Sequence, residues 1–363
     1  MKSFAGIDLH SNNGVLTVID ENDKVLRQKR LANKLELFVE ELEPFRGTLQ
    51  GVAVESTFNW YWLVDGLQQH QFPMMLVNTA AVQQYEGLKH VDDRYDSRWL
   101  AHLMRLGILP TGHIYPREDR AVRDLLRKRS SLVHQRTANI LSVQNLEQRN
   151  RGTKISSNEV KHLTAASIDE LYDNEDLGLA LTVTVRVIAT LTEQIRCLEK
   201  SVLKKAKLRT EFKPLLTVFG IGEILGLTIM YEAGDMGRFA GPGNFASYSR
   251  CVDANRLSNG KKKADNNEKN GNKYLAWAFV EAAHYAIRNY PEAKSFYDRK
   301  AAKTKNVVAI KAVMIPQRAR EPRGVGRRSP PVSHKFCALS NWTRARTTDS
   351  FLGRLVRQGP RRS

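Results

Sequence analysis

Four carboxylates in this 363-residue chain have the types and spacing to hold metal ions: Asp8, Glu55, Asp93 and Asp96. Asp8 closes the run Phe4-Ala5-Gly6-Ile7-Asp8, and Glu55 closes Val52-Ala53-Val54-Glu55, so each acid ends a predicted strand. Asp93 and Asp96 are three residues apart at the start of a predicted helix, which puts both on one face. Singly, each has an ordinary reading: a turn-amide acceptor, a helix-start acid, or first-turn acids favoured by the helix dipole. Together they would repel, since two unit charges about 4 Å apart cost about 4 kcal/mol at an effective dielectric near 20. Divalent cations relieve that cost, and hard oxygen ligands select Mg²⁺ or Mn²⁺. The pattern predicts a two-metal phosphoryl-transfer site.

The elements that must position these acids follow from periodicity. Residues 3–31 read as a three-strand antiparallel meander with turns at 11–14 and 21–23. A helix over 35–42, a strand over 49–54, a helix from Ser56-Thr57 to about His70, a strand over 73–77 and a helix over 79–88 follow. That βββαβαβα order predicts a mixed sheet flanked by helices, with Trp60, Tyr61 and Trp62 as core and sheet cover. Residues 93–106 form the helix carrying the acid pair, with Trp99, Leu100, Leu103 and Met104 as its apolar stripe.

Beyond a break at Leu109-Pro110-Thr111-Gly112, a long basic helix over 117–149 carries Arg120, Arg123, Arg127, Lys128 and Arg129, a candidate nucleic-acid face. A second long helix over 176–207 repeats Leu181, Ile188, Ile195 and Val202 every seven residues, the signature of a coiled-coil or helix-pair seam. Around Gly220-Ile221-Gly222 the alternating glycines resemble a helix-hairpin-helix, whose backbone N–H groups can hold a DNA phosphate. Ser258 precedes Lys261, Lys262 and Lys263, a basic setting that would bind a phosphodiester. The expected organisation is a catalytic domain over 1–115, long helices over 116–208, a mostly α domain over 209–313, and an Arg/Pro-rich segment over 314–363.

Charge narrows the partner. The balance is 57 Lys+Arg against 38 Asp+Glu, net +19, which favours nucleic acid over a membrane surface. No apolar run was expected to reach bilayer length, and no signal-peptide core is expected at the N-terminus. The three cysteines lack a CxxC pair, so neither a disulfide framework nor a zinc site is indicated. A cytoplasmic nucleic-acid protein is expected. Residues 314–363 break the pattern, since they supply +10 of the net charge with no helical periodicity. Their abrupt onset reads as disorder, and as translation in another frame.

The ordered motifs resemble the DEDD transposases of insertion-sequence family one-ten. Gly6-Ile7-Asp8-Leu9-His10, Val54-Glu55-Ser56-Thr57 and Asp93-Arg94-Tyr95-Asp96-Ser97 match its acidic motifs. Phe219-Gly220-Ile221-Gly222, Arg238-Phe239, Ser258-Asn259-Gly260 and Lys269-Asn270-Gly271-Asn272 match its C-terminal domain. The resemblance implies an N-terminal domain similar to the Holliday-junction resolvase RuvC, with an RNase H-like sheet. It implies Asp8, Glu55, Asp93 and Asp96 as ligands of two Mg²⁺ or Mn²⁺ ions. It also implies a serine nucleophile matching Ser258, although Asn259 interrupts the family's Ser-Gly motif and Ser247 and Ser249 stay open. Double-stranded DNA, an element-encoded guide RNA and a homodimer or homotetramer are the implied partners.

Competing readings are a RuvC-like nuclease without serine chemistry, an inactive DNA- or RNA-binding remnant, and an actin-like kinase. The kinase needs a Gly-rich phosphate turn in the first hairpin, where Ser11-Asn12-Asn13-Gly14 offers one glycine.

Overall fold

The computed structural model describes residues 1–82, 92–169, 172, 174–206, 212–218, 220–252, 255–258, 261–265 and 271–314, with backbone only over 255–258 and 261–265. The chain divides into two compact units, with the boundary after Arg117.

The first unit is built on a five-stranded sheet of β1 (Ser3–Leu9), β2 (Asn13–Asp20), β3 (Val25–Ala32), β4 (Leu49–Glu55) and β5 (Met74–Val77). Their order is β3-β2-β1-β4-β5. The first three strands pair antiparallel, while β4 and β5 add parallel to β1, as a βαβ connection requires. The β2–β3 turn is stapled by Asp20, whose Oδ1 accepts from the backbone N–H groups of Asn22 at 2.8 Å and Lys24 at 2.9 Å. Residues around Pro110 and Thr111 extend the sheet edge, since Thr111 bridges antiparallel to Val77.

Alternation along the central strands sorts their side chains. Ala5, Ile7 and Leu9, with Val52 and Val54, face α1 (Leu35–Leu42) and α2 (Tyr61–Gln69) in one core that also holds Phe38, Leu63 and Leu67. The opposite face is covered by α4 (Asp93–Arg105), whose Leu100, Leu103 and Met104 pack on Phe4 and Ala53. Between β5 and α4, the short α3 (Thr79–Val82) is described; the rest of the helix expected over 79–88 lies outside the described residues.

Among the described residues, the second unit is helical apart from one hairpin. Its frame is α5 (Arg117–Arg151) and α8 (Glu175–Ala206), with the short α6 (Ser157–Val160) and α7 (Ala165–Asp169) between them. The heptad residues Leu181, Ile188, Ile195 and Val202 are all buried, between 0% and 2% exposed. Their seam is spent inside the chain. Leu181 and Ile188 share a core with Ile140 and Val143 of α5, and Val202 shares another with Val122 and Leu126. The two helices therefore run antiparallel, and Arg129 to Glu199 at 2.7 Å marks the register.

Of the two readings of the heptad, the structure shows the helix pair, since α5 covers that face of α8 within the chain. One expectation is corrected: α8 is, by length and composition, long and apolar enough to cross a bilayer. Threonines and Arg186 interrupt its apolar stretches, so the helix reaches that length by average composition and not by a continuous apolar run.

The remaining helices are α9 (Phe212–Leu216), α10 (Glu223–Ala233), α11 (Pro242–Tyr248), α12 (Lys273–Asn289), α13 (Pro291–Ala301) and α14 (Asn306–Met314). Strands β6 (Asn255–Ser258) and β7 (Lys261–Asp265) form the hairpin. Gly220 has φ +83°, and a Cβ there would collide with the Ala282 carbonyl of α12. Its glycine is thus explained by packing on a helix. The stretch expected to be frameshifted lies outside the described residues from 315 onward.

Candidate metal centre

Asp8, Asp93 and Asp96 come near one another because of small residues on the α4 face of the sheet, while Glu55 is placed there by strand register alone. Gly6 pairs in register with Thr17 of β2 and Ala53 of β4, so a shallow trough crosses three strands. The α4 backbone settles into it. A Cβ on Gly6 would overlap the Ser97 carbonyl oxygen and stand 2.8 Å from the Ala101 nitrogen. Ser97 is fully buried and its hydroxyl shares a 2.7 Å hydrogen bond with that of Thr17.

One step of two along β1 leads from Gly6 to Asp8, and the same step along β4 leads from Ala53 to Glu55. Both acids therefore lie on the α4 face, on adjacent strands spaced about 4.8 Å apart. One turn back from Ser97 brings Asp93 over the same end of the sheet, with Asp96 beside it. Asp92 caps the helix by accepting from the Tyr95 N–H at 2.8 Å, which frees Asp93 and Asp96 from that task. The positive end of the α4 dipole also points toward the acids.

Asp8 is 5% exposed. Burial pushes its carboxyl above the usual value, Asp96 and Asp93 push the same way, and His10 offsets only part of this. Asp93 is held low by the hydrogen bond from Arg30, helped by His10. Arg30 reaches over from β3, with Nη2 2.5 Å from Asp93 Oδ2 and Nη1 2.7 Å from Asn13 Oδ1. Next to it on the same face, Gln28 donates to Thr17 Oγ1 at 3.0 Å and to the Arg94 carbonyl at 3.1 Å.

His10 is the residue that the sequence reading missed as part of the site. Its Nε2 lies 2.9 Å from Asp8 Oδ2 and 3.3 Å from Asp93 Oδ1. One ligand atom from each of Asp8, His10 and Asp93 fits within 4.8 Å of the others. The available signal was the Asp8-Leu9-His10 spacing, which keeps His10 on the acid's face. A buried carboxyl with its affinity for protons raised, two further acids and an imidazole form a donor set that fits a divalent cation.

The expected nucleic-acid residues fall into different settings. Arg123 is buried, and Arg127 forms a two-pronged pair with Glu232 at 2.5 and 2.8 Å. Glu232 is itself fully buried and also accepts from Asn272 Nδ2 at 2.7 Å. Lys128 is exposed on the other side of α5. Gly222 is the exposed N-cap of α10, whereas Gly220 is held against α12. Ser258 ends β6 opposite Lys261, and Lys262 and Lys263 follow on β7. Of the alternative serines, Ser247 is exposed in α11 and Ser249 is fully buried. Asn259, Gly260 and the Lys269-Asn270 motif lie outside the described residues.

A mixed sheet in this strand order, with acids near the ends of two adjacent parallel strands and a helix laid across one face, fits an RNase H-like domain. A family model for DEDD transposases of the IS110 group, described as "Transposase", matches residues 5–148. A second, described as "Transposase IS116/IS110/IS902 family", matches residues 213–298. The chain belongs to the IS110-family DEDD transposases. No curated protein matches it significantly.

Proposed function

We propose that this transposase cleaves and exchanges DNA strands with two divalent ions, Mg²⁺ or Mn²⁺, held by Asp8, Glu55, Asp93 and Asp96, and with Ser258 as nucleophile. The observation that carries the metal reading is Asp8, buried beside two further acids and pushed toward protonation first by that burial and then by Asp96 and Asp93. A cation at that point supplies Lewis-acid stabilisation for charge developing on an attacked phosphate. Ser258 Oγ forms the bond to phosphorus, its proton leaves, and the departing deoxyribose oxygen takes up a proton as its bond breaks. Attack by the hydroxyl of another strand on the phosphoserine link then reseals DNA and restores the serine. The hairpin register supports this assignment, since it pairs Ser258 with Lys261, a residue type that binds phosphate.

Recognition would rest on Lys128, the Gly222 amide, Lys261, Lys262 and Lys263, with an element-encoded RNA pairing to target and donor DNA. Recombination holds two duplexes, so a homodimer or homotetramer acting at the nucleoid in the cytoplasm is the working assembly. Because α5 occupies the heptad face of α8, an assembly through this helix would use its outer face, where Leu179, Val183 and Val187 are exposed.

The test is incubation of the purified protein with end-junction DNA and flanking RNA in Mg²⁺, resolved on a denaturing gel. A covalent protein–DNA adduct lost in both Asp8→Asn and Ser258→Ala is expected. Mg²⁺-dependent cleavage that survives Ser258→Ala would favour a nuclease. Binding without chemistry would identify an inactive remnant.

A further inference from the structure

We propose that His10 is a direct nitrogen ligand of the divalent ion at the acidic centre and biases that centre toward Mn²⁺ over Mg²⁺. The inference rests on the metal reading above and goes beyond the four acids.

Three observations support it. The first is distance. Ligands on neighbouring corners of an octahedral ion with bonds of about 2.1 Å stand about 3 Å apart. His10 Nε2 is 2.9 Å from Asp8 Oδ2 and 3.3 Å from Asp93 Oδ1, so the imidazole nitrogen stands at neighbouring-corner distance from both acids.

The second is that the histidine is held from its backbone. Its N–H donates to the Asn13 carbonyl at 2.8 Å. Its carbonyl accepts from Asn33 Nδ2 at 3.0 Å and from Asn59 Nδ2 at 2.8 Å. Asn59 is oriented in turn by the Thr57 hydroxyl at 2.9 Å. The loops after β1, β3 and β4 thus converge on one residue, and such pre-organisation is what a ligand requires. The third is access: the imidazole is 41% exposed beside a 7% exposed Asp8 side chain, so it sits at the mouth of the site, where a substrate or water could complete the coordination.

The selectivity follows from ligand chemistry. An imidazole nitrogen adds more affinity for a transition ion than for Mg²⁺, which prefers oxygen throughout. A site of acids alone would lack that bias.

The experiment is Mn²⁺ titration of the full chain with pulsed electron spin resonance, which detects a nitrogen bound to the ion. Wild type should show nitrogen modulation that disappears in His10→Gln. The same change should weaken Mn²⁺ binding about ten- to a hundredfold. Mg²⁺ affinity, measured by competition, should change far less. Mn²⁺ bound without nitrogen coupling, and equally tightly by His10→Gln, would overturn the proposal while leaving the acid site standing. Wild type that binds Mn²⁺ no better than Asp8→Asn would overturn both. The wild-type spectrum decides the first point even if the variant folds poorly.

Discussion

Gly6 of β1 and Ser97 of α4 touch so closely that no side chain fits between them. This contact sets the height of α4 over the sheet and hence the distance from Asp93 and Asp96 to Asp8. Gly6→Val should lift the helix N-terminus. We expect a stability loss of roughly 1–3 kcal/mol by overpacking, read by urea denaturation, and a weakened Mn²⁺ site read by titration. A variant that binds Mn²⁺ like wild type would show that α4 height does not set the site.

Arg30 binds Asp93 through Nη2 at 2.5 Å and is the main cause of that carboxyl's low proton affinity. In metal-free protein, Arg30→Ala should raise the Asp93 titration midpoint toward the ordinary carboxylate value, observed by carbon NMR of the side chain. An unmoved midpoint would assign the depression to His10 instead.

Glu41 of α1 ties the edge strand β3 to the sheet's other face, with Oε2 2.5 Å from Arg27 and Oε1 2.6 Å from Lys29. The Arg27 hydrogen bond holds its carboxyl below the usual value of 4.5, against an opposing push from burial, with Lys29 adding to the depression. A lowered folded value means stability that is present above the unfolded value and lost as pH falls through the folded one. Glu41→Gln should therefore be less stable than wild type at neutral pH. The gap between the two melting temperatures should narrow as pH drops below about 4.5.

Glu232 lies fully buried among Arg127, Arg123 and Asn272, and Arg127 also stacks on Tyr274 with its guanidinium 4.5 Å from the ring centre. Asn272 caps α12 by accepting from the N–H groups of Tyr274 and Leu275. Glu232→Ala removes the buried carboxylate from this ion-pair cluster, and breaking a buried pair costs about 3–5 kcal/mol. Denaturant unfolding of the second unit should shift by that amount. A shift within experimental error would mean that the arginines find other partners.

What the sequence alone determined is local and periodic. Strand ends carrying Asp8 and Glu55, the i, i+3 pair of Asp93 and Asp96, the meander of the first three strands and the heptad of α8 all follow from alternation of two, three to four, or seven residues. Those periods are written in neighbouring residues, so no distant contact is needed to see them.

The tertiary structure decided what each pattern meets. His10 joins Asp8 and Asp93 because loops after three different strands close around its backbone. Arg123 and Arg127, read as a nucleic-acid face, turn toward Glu232 because a buried carboxylate needs a matching charge. The α8 heptad packs on α5 within the chain, and Gly220 yields to the Ala282 carbonyl. Each of these depends on residues far apart in sequence, whose meeting is set by how the sheet and helices pack and leaves no local period to read.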